Sequence, residues 1–363
     1  MWETGGTLAV YTAQKWADSR PLAAFDFDST LRRYRGRGPP EELGVALVVA
    51  LSGAGNRPVV IFTNRSQKTA RGLQPLKGFV AKVERAGGAC DVYAASGRDR
   101  NRKPQTGGWK VFLKNRTPST AMVAGGFYCG DAAGRDGDFA ASDRFFAENV
   151  GLRFYVPEQF FGAHNVAKGI PAGGLASPAP PQGSDPCGHE LTKAMTPARR
   201  ARAAEIFEAA KEFDVVVMVG SPASGKSTFA RRLVAEGDFA RASRDAHGNK
   251  FLHRLSVYQA LPGQKVVVDN TNPAQATRQA VYDRVCAGAR LAVVWVKTPQ
   301  SVCRHFDGLR CERGEAPALL PRPVIPTYWK RLEAPTVREF EGLSAVFELE
   351  LALADGGDKK RYA

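Results

Sequence analysis

The sequence predicts an α/β protein of two domains, each built around a parallel sheet. The chain has 363 residues, enough for two domains that each bury a core. Short apolar runs alternate with helical stretches in both halves, and a segment rich in proline and glycine separates the halves. We therefore predict an N-terminal domain over residues 1–161, a connection over 162–196 and a C-terminal domain over 197–363.

Short apolar runs in the first half predict buried strands. Each is followed by polar or glycine-rich residues, the rhythm of a parallel sheet whose functional residues collect at the carboxyl ends of its strands. The predicted strands are Leu22–Phe27, Pro58–Phe62, Asp91–Ala95 and Ala124–Cys129.

The second half resumes this rhythm after the proline- and glycine-rich segment. A helix rich in Ala, Arg and Glu is predicted over Pro197–Lys211, and it leads into an all-apolar strand. The predicted strands of this half are Val215–Val219, Val266–Asp269 and Leu291–Lys297.

Composition limits the partners and the compartment. A net charge of +15, from 51 Lys and Arg against 36 Asp and Glu, favours a polyanion such as nucleic acid, although solubility alone could also explain it. The sequence has no apolar run of about 18 residues, so we predict no membrane contact. Its six cysteines lack metal-ligand spacing and no secretory signal is evident, which indicates a reducing compartment, either nucleus or cytosol.

The clearest motif in the second half is a Walker A loop, Gly-Ser-Pro-Ala-Ser-Gly-Lys-Ser-Thr over 220–228. It lies after an apolar strand and before a helix, where an ATP phosphate loop belongs. Its backbone N–H groups can point at phosphate oxygens, Lys226 can reach the outer phosphates, and the Ser227 hydroxyl can ligate Mg2+. The predicted ATP-binding residues of the loop are Gly220, Ser224, Gly225, Lys226, Ser227 and Thr228.

Two further carboxylates and two arginines could complete a kinase site. Asp245 could take the proton from an attacking hydroxyl, although a surface carboxylate paired with Arg244 is the competing interpretation. Asp269 could orient Mg2+ or water, with a turn-forming role as the alternative. Arg304 and Arg310 could belong to a lid that neutralises the transferred phosphate, or to a solvated basic helix face.

An ordered set of polar residues in the first half indicates a phosphatase. Asp26 and Asp28 follow a buried strand at i, i+2 spacing, so that one could attack phosphorus and the other protonate the leaving oxygen. Thr63 could hold the phosphate, and Lys103 could balance the clustered carboxylates. Asp131 adds a carboxylate for Mg2+. Clustered acids without a cation would raise one another's pKa, so Mg2+ and Lys103 are both expected if Asp26 is to attack.

Both motif sets, in this order, resemble those of the polynucleotide kinase 3′-phosphatases, in which a haloacid-dehalogenase-type phosphatase precedes a P-loop kinase. The resemblance runs nearly end to end. Besides the Walker loop, the stretches that carry it are Asp26-Phe27-Asp28-Ser29-Thr30-Leu31, Val60-Ile61-Phe62-Thr63-Asn64, Arg102-Lys103-Pro104, Gly130-Asp131-Ala132-Ala133-Gly134-Arg135, Asp143-Arg144-Phe145-Phe146-Ala147, Arg244-Asp245, Asp269-Asn270-Thr271-Asn272-Pro273, Arg304-His305 and Glu333-Ala334-Pro335-Thr336.

The resemblance implies a haloacid-dehalogenase-like fold for the first domain and assigns individual roles. Asp26 would form a phospho-aspartate, with Asp28 as general acid and then base, and Mg2+ would be held by Asp26, Asp28 and Asp131. Thr63 and Lys103 would bind the phosphate. In the kinase, Asp245 would activate a 5′-hydroxyl, and Arg304 and Arg310 would face ATP.

The implied function is healing of nucleic-acid ends, with removal of 3′-phosphate and addition of 5′-phosphate. We expect a nuclear monomer that acts on DNA strand breaks. An RNA end-repair enzyme or a small-metabolite kinase and phosphatase would use the same residues. Animal members carry a forkhead-associated domain before the phosphatase; the first motif begins too early for one here, so recruitment through that domain is not expected.

The sequence departs from the family pattern in three places. Ser29 stands where glycine is usual, and Arg65 where glutamine is common. Phe306-Asp307-Gly308 replaces the polar and basic residues expected after Arg304-His305.

Overall fold

The computed structural model describes residues 2–16, 20–53, 56–65, 70–135, 137–162 and 196–352. They fall into two compact units. The first holds the described residues up to 162 together with 308–319, and the second holds 196–307 and 320–352. The predicted connection, 162–196, lies almost wholly outside the described residues. No helix in the described ranges is long and apolar enough to cross a bilayer.

A seven-stranded sheet forms the centre of the described first unit. Its strands are β1 (Trp2–Gly5), β2 (Leu8–Tyr11), β3 (Ala23–Phe25), β4 (Val59–Asn64), β5 (Asp91–Ala95), β6 (Phe127–Cys129) and β7 (Arg153–Tyr155). They are ordered β1-β2-β5-β4-β3-β6-β7. The five strands from β5 to β7 pair in parallel, as predicted for this sheet, although β7 was not among the predicted strands. The hairpin β1–β2, also unpredicted, adds antiparallel to the edge at β5.

Both faces of this sheet are covered, which explains why its central strands are apolar throughout. Phe25 and Ile61 point to one face and pack with Phe79, whereas Val60 and Tyr93 point to the other. The helices are α1 (Glu41–Ser52), α2 (Ala70–Arg85), α3 (Gly107–Arg116), α4 (Thr120–Ala124), α5 (Ser142–Val150) and α6 (Pro157–Gly162).

The second unit contains a five-stranded sheet. Its strands are β8 (Val215–Gly220), β9 (Phe239–Ala242), β10 (Lys265–Val268), β11 (Leu291–Lys297) and β12 (Leu343–Glu350). The order is β12-β11-β8-β10-β9, and every pairing is parallel. The carboxyl ends of β8 and β10 are therefore neighbours, and the loops that follow them meet at one edge.

Helices flank this second sheet, and the first of them confirms the predicted helix over Pro197–Lys211. They are α7 (Pro197–Lys211), α8 (Lys226–Glu236), α9 (Arg244–His247), α10 (Phe251–Gln259), α11 (Gln275–Tyr282), α12 (Gln300–Glu312) and α13 (Val324–Arg331), with 3-10 turns at Gly248–Lys250 and Val337–Glu339. The two apolar cores lie on opposite faces, because alternate residues of β8 such as Val216 and Val217 point to opposite sides.

Residues 308–319 group with the first unit through specific hydrogen bonds. The Glu312 carboxylate accepts from the backbone N–H (2.9 Å) and the hydroxyl (2.6 Å) of Thr106, which precedes α3. It also pairs with the Lys110 ammonium. The backbone N–H of Leu319 donates to the carbonyl of Arg98 at 2.6 Å.

Candidate active sites

Three parallel strands of the first sheet bring the predicted phosphatase residues to one edge. Asp26 directly follows β3, Thr63 lies at the end of β4, and Asp131 lies just beyond β6. Because β3 pairs with both β4 and β6, these carboxyl ends are adjacent. The backbone N–H of Asp26 donates to the carbonyl of Cys129 at 2.8 Å, which fixes the backbone of the predicted nucleophile.

The ammonium of Lys103 is the buried centre of this site. It donates to Asp26 Oδ1 at 2.6 Å, to Asp143 Oδ1 at 2.7 Å and to the Tyr128 hydroxyl at 2.7 Å. The side chain is only 4% exposed. The Asn64 amide holds the backbone of Lys103 from both sides, accepting from its N–H at 2.9 Å and donating to its carbonyl at 3.0 Å. Lys103 is thus fixed both at its backbone and at its ammonium.

Burial sets the electrostatics of this cluster. Burial and the charges of Asp143 and Asp131 raise the pKa of Asp26 to about 8, against the opposing effect of Lys103. Burial and Asp143 likewise raise the pKa of Asp131 to about 7. Burial lowers the pKa of Lys103, but Asp143 and Asp26 outweigh it and the net shift is upward. The cluster therefore favours additional positive charge.

The donor set fits a hard divalent cation. One carboxylate oxygen each from Asp26, Asp131 and Asp143 lies within 4.8 Å of the others, and carboxylate oxygens are the ligands that Mg2+ prefers. Asp28, which the sequence also suggested as a metal ligand, is not one of these three, and its carboxylate instead pairs with two arginines. A metal role for Asp28 stays a prediction.

Asp143 belongs to this site, although the sequence motifs assigned it no role. It lies in the first turn of α5, and its Oδ2 accepts the backbone N–H of Ala132 at 3.0 Å. A Cβ on Gly130 would lie 2.5 Å from this same oxygen, so the close approach requires glycine there. The sequence signal was the Asp143-Arg144-Phe145-Phe146-Ala147 stretch that carries the family resemblance.

Asp28 lies on the turn after Asp26 and is held by two guanidinium groups. Its Oδ1 accepts from Arg32 at 2.8 and 2.9 Å, and its Oδ2 accepts from Arg65. Ser29, the residue directly after Asp28, has a φ of 62°. This is the left-handed region that glycine enters most easily, which explains the family's preference at this position.

The phosphate loop of the second unit joins β8 to α8 as predicted. Gly225 has a φ of 95°, and Ala223 is also left-handed at 58°, so the backbone curls before α8 begins. The Thr298 hydroxyl donates to the carbonyl of Ser224 at 2.7 Å and braces the loop. Lys226 is buried, with its ammonium 3.3 Å from the carbonyl of Ser221, and the N-terminal N–H groups of α8 form an anion-binding end.

The Asp269 carboxylate faces the loop. The Ser227 hydroxyl donates to Asp269 Oδ1 at 3.1 Å, and Arg241 Nε on β9 donates to Oδ2 at 2.8 Å. Asp269 is buried at the end of β10. A hydroxyl and a carboxylate side by side at the start of a P-loop helix are suited to ligate Mg2+, which supports the metal-orienting interpretation over a turn-forming one.

Asp245 lies in the first turn of α9 and is exposed. The Ser243 hydroxyl caps this turn by accepting the backbone N–H of Asp245 at 3.2 Å. Among the described residues its carboxylate has no hydrogen-bond or ion-pair partner, and the guanidinium of Arg244 instead lies 5.8 Å from the ring centre of Phe251. The competing pairing with Arg244 is thus not seen, and the carboxylate is open to a substrate. Its role as base stays a prediction.

The turn that follows Asp269 is anchored by a buried arginine. Arg278 donates to the carbonyls of Asn272 and Pro273, both at 3.1 Å, and its Nε donates to Glu339 at 2.7 Å. The Asn272 amide in turn donates to the carbonyl of Met218 on β8 at 2.9 Å. This network fixes the chain leaving β10 against the strand that carries the phosphate loop.

The two predicted lid arginines are both exposed on α12. Arg304 lies in the part of the helix that belongs to the second unit, whereas Arg310 lies in the 308–319 segment of the first unit. The structure therefore does not group Arg310 with the phosphate loop. Contact of either guanidinium with ATP stays a prediction.

Comparisons with known proteins match parts of both halves of the chain. The family described as "Polynucleotide kinase 3 phosphatase" matches residues 47–161, and the family described as "AAA domain" matches residues 215–335. A bifunctional polynucleotide phosphatase/kinase of Schizosaccharomyces pombe is 28% identical over 357 residues, covering 93% of this chain and 82% of that protein.

Two further relatives match a smaller share of this chain. Polynucleotide 3′-phosphatase ZDP of Arabidopsis thaliana is 31% identical over 182 residues, covering 42% of this chain and 25% of that protein. A polynucleotide 3′-phosphatase of Saccharomyces cerevisiae is 40% identical over 72 residues, covering 17% of this chain and 30% of that protein.

Proposed function

The chain belongs to the polynucleotide kinase 3′-phosphatase family, and from this premise we propose that it heals nucleic-acid ends by removing 3′-phosphate and adding 5′-phosphate. The observation that carries the proposal is the presence, in one basic chain, of a carboxylate site centred on Lys103 and a phosphate loop backed by Asp269. The two sites perform complementary operations on the two sides of a strand break.

In the phosphatase reaction, an Asp26 carboxylate oxygen attacks the phosphorus of the 3′-phosphate. The bond from phosphorus to the 3′-oxygen breaks, and Asp28 supplies the proton that this oxygen needs. Water then attacks the aspartyl phosphate while Asp28 takes a proton from it, which releases inorganic phosphate and restores Asp26. Lys103, 2.6 Å from Asp26, opposes the upward shift that burial gives the pKa of Asp26 and so favours the ionised nucleophile.

In the kinase reaction, Asp245 takes the proton from a 5′-hydroxyl, whose oxygen attacks the γ-phosphorus of ATP, and ADP leaves. Lys226 and the loop N–H groups stabilise the charge on the transferred phosphate. Mg2+ would be held by the three clustered carboxylates in the phosphatase and by Ser227 and Asp269 in the kinase. At each site it would neutralise charge on the phosphate.

The substrate is proposed to be DNA with 3′-phosphate and 5′-hydroxyl ends, handled by a monomer in the nucleus. The net charge of +15 supports a polyanionic substrate through phosphate contacts. RNA strands can carry the same 3′-phosphate and 5′-hydroxyl ends, so RNA is the alternative substrate.

The test offers nicks that carry both unhealed ends, in DNA and in RNA, with ATP and Mg2+, and follows both ends. The proposal predicts conversion of both ends, faster in DNA, with a rate that falls steeply as salt rises. Faster conversion of RNA would reassign the polymer. Salt-insensitive activity confined to small phosphate esters would favour a metabolite enzyme and contradict the proposal.

A further inference from the structure

Two arginines occupy both oxygens of Asp28. Arg32 binds Oδ1 through Nε at 2.9 Å and Nη2 at 2.8 Å, and Arg65 binds Oδ2 through Nη1. The three side chains are between 11% and 20% exposed, so the contacts are only partly screened by water. Neither arginine had a role in the sequence-based account, and Arg65 stands where the family commonly has glutamine.

This arrangement conflicts with the proton transfer expected of Asp28. A carboxylate offers about four lone-pair positions on its two oxygens, and here Arg32 donates to Oδ1 through two nitrogens and Arg65 donates to Oδ2 through one. Each of these contacts occupies a position at which Asp28 would otherwise carry a proton to the leaving 3′-oxygen, because a guanidinium has donors but no acceptor. Release of one of the two arginines clears an oxygen of Asp28 for this proton transfer.

The contacts of the two arginines indicate which one moves. Arg32 lies four residues from Asp28, binds it through two nitrogens and packs over the Phe27 ring at 5.0 Å. Arg65 reaches Asp28 through one nitrogen, and its Nη2 donates to the carbonyl of Gly72 at 2.9 Å. Arg65 has one nitrogen on Asp28 where Arg32 has two, and it comes from a different strand end, so its side chain can turn away without disturbing the turn that carries Asp28.

The backbone of Arg65 stays in place while its side chain rotates away from Asp28. Its N–H donates to the carbonyl of Ala95 at 2.6 Å, and its carbonyl accepts from Arg102 at 3.0 Å. The guanidinium can therefore swing at the edge of the site, at the end of β4, and it needs an anion to replace Asp28.

In the proposed reaction the terminal 3′-phosphate is directed to Asp26 and Lys103, which leaves a second anion to draw Arg65. A polynucleotide supplies one in the phosphodiester next to its 3′-terminal nucleotide, whereas a nucleoside 3′-monophosphate has none. Resting on the proposed phosphatase function, we infer that Arg65 leaves Asp28 for this phosphodiester. Arg65 is then the specificity-determining residue that restricts the first site to polymer ends.

The test compares three substrates with the same leaving group: thymidine 3′-monophosphate, a thymidine dinucleotide 3′-phosphate, and the same dinucleotide with a neutral methylphosphonate linkage. In the unmodified protein, kcat/KM for the charged dinucleotide should exceed that for the neutral one by about tenfold or more, the effect of one charge-assisted contact. In Arg65→Gln the ratio should fall below threefold, with hydrolysis of the monophosphate retained.

The control is Arg85→Gln, which removes an equal charge from the exposed end of α2 and should leave the ratio unchanged. A ratio in Arg65→Gln that stays at threefold or above would overturn the inference, as would equal loss of all three activities. A fall in the ratio of the control would also overturn it. Because the ratio is taken within one protein, partial misfolding cancels. If the unmodified protein hydrolyses none of the three, the proposed phosphatase function fails instead.

Discussion

Replacing Lys103 with methionine removes the cation at the centre of the first site while keeping the length and packing of its side chain. The Lys103 ammonium lies 2.6 Å from Asp26 and 2.7 Å from Asp143, and the side chain is 4% exposed. Without it, two buried carboxylates face each other with no compensating charge. We expect both stability and phosphatase activity to fall.

The size of the loss follows from the burial. Removing one partner of a buried ion pair costs about 3–5 kcal/mol. For a unit of this size, that corresponds to a fall in Tm of roughly 6–20 °C in the absence of metal. Mg2+ should recover part of the loss, because the same carboxylates can bind it. Phosphatase kcat should fall about a hundredfold or more, since a charged group at the reacting centre is lost.

The assay is thermal unfolding of Lys103→Met in EDTA and in Mg2+, together with both activities. Kinase activity in the same preparation serves as an internal control, and the exposed Lys82→Met should match the unmodified protein. A Tm in EDTA within 2 °C of the unmodified protein, or an unchanged phosphatase rate, would refute this account of the Lys103 cluster.

Three more predictions concern other residues. Arg278→Met should lower the unfolding free energy of the second unit by about 3–5 kcal/mol in urea, because it removes the cationic partner of Glu339 and releases the turn after Asp269. The exposed Arg284→Met should not shift the urea midpoint. Asp143→Asn should raise the Mg2+ concentration for half-maximal phosphatase activity roughly 10–100-fold and leave that of the kinase unchanged; equal shifts would argue against its place in the metal cluster. Asp245→Asn should lower kinase kcat about 10²–10⁴-fold with KM for ATP unchanged, and an altered KM for ATP alone would reject its role as base.

Local sequence signals predicted the elements that carry both sites. The strands Asp91–Ala95 and Leu291–Lys297 and the helix Pro197–Lys211 were predicted with the bounds that the structure has. These elements are apolar runs or strong helix formers, so local propensity and tertiary packing favour the same conformation. The parallel order then placed Asp26 and Thr63 together, because they end neighbouring strands.

Other features depend on long-range contacts that no local pattern reveals. β1 and β2 are only four residues each, β1 being mixed in polarity and β2 apolar. They are strands because β2 pairs onto β5 and β1 pairs onto β2. Asp143 lies on a helix, yet its carboxylate accepts hydrogen bonds from both the Ala132 backbone N–H and the Lys103 ammonium. The pairing of Arg65 with Asp28 and that of Arg241 with Asp269 join residues that are far apart in the sequence and share no motif.

The most direct measurement of the central claim follows both ends of one nicked DNA in the unmodified protein and in two variants, with ATP and Mg2+ present. The account predicts that Asp26→Ala adds the 5′-phosphate but leaves the 3′-phosphate in place. Lys226→Ala should remove the 3′-phosphate but leave the 5′-hydroxyl, and the unmodified protein should heal both ends. Removal of the 3′-phosphate by Asp26→Ala, or 5′-phosphorylation by Lys226→Ala, would contradict the account.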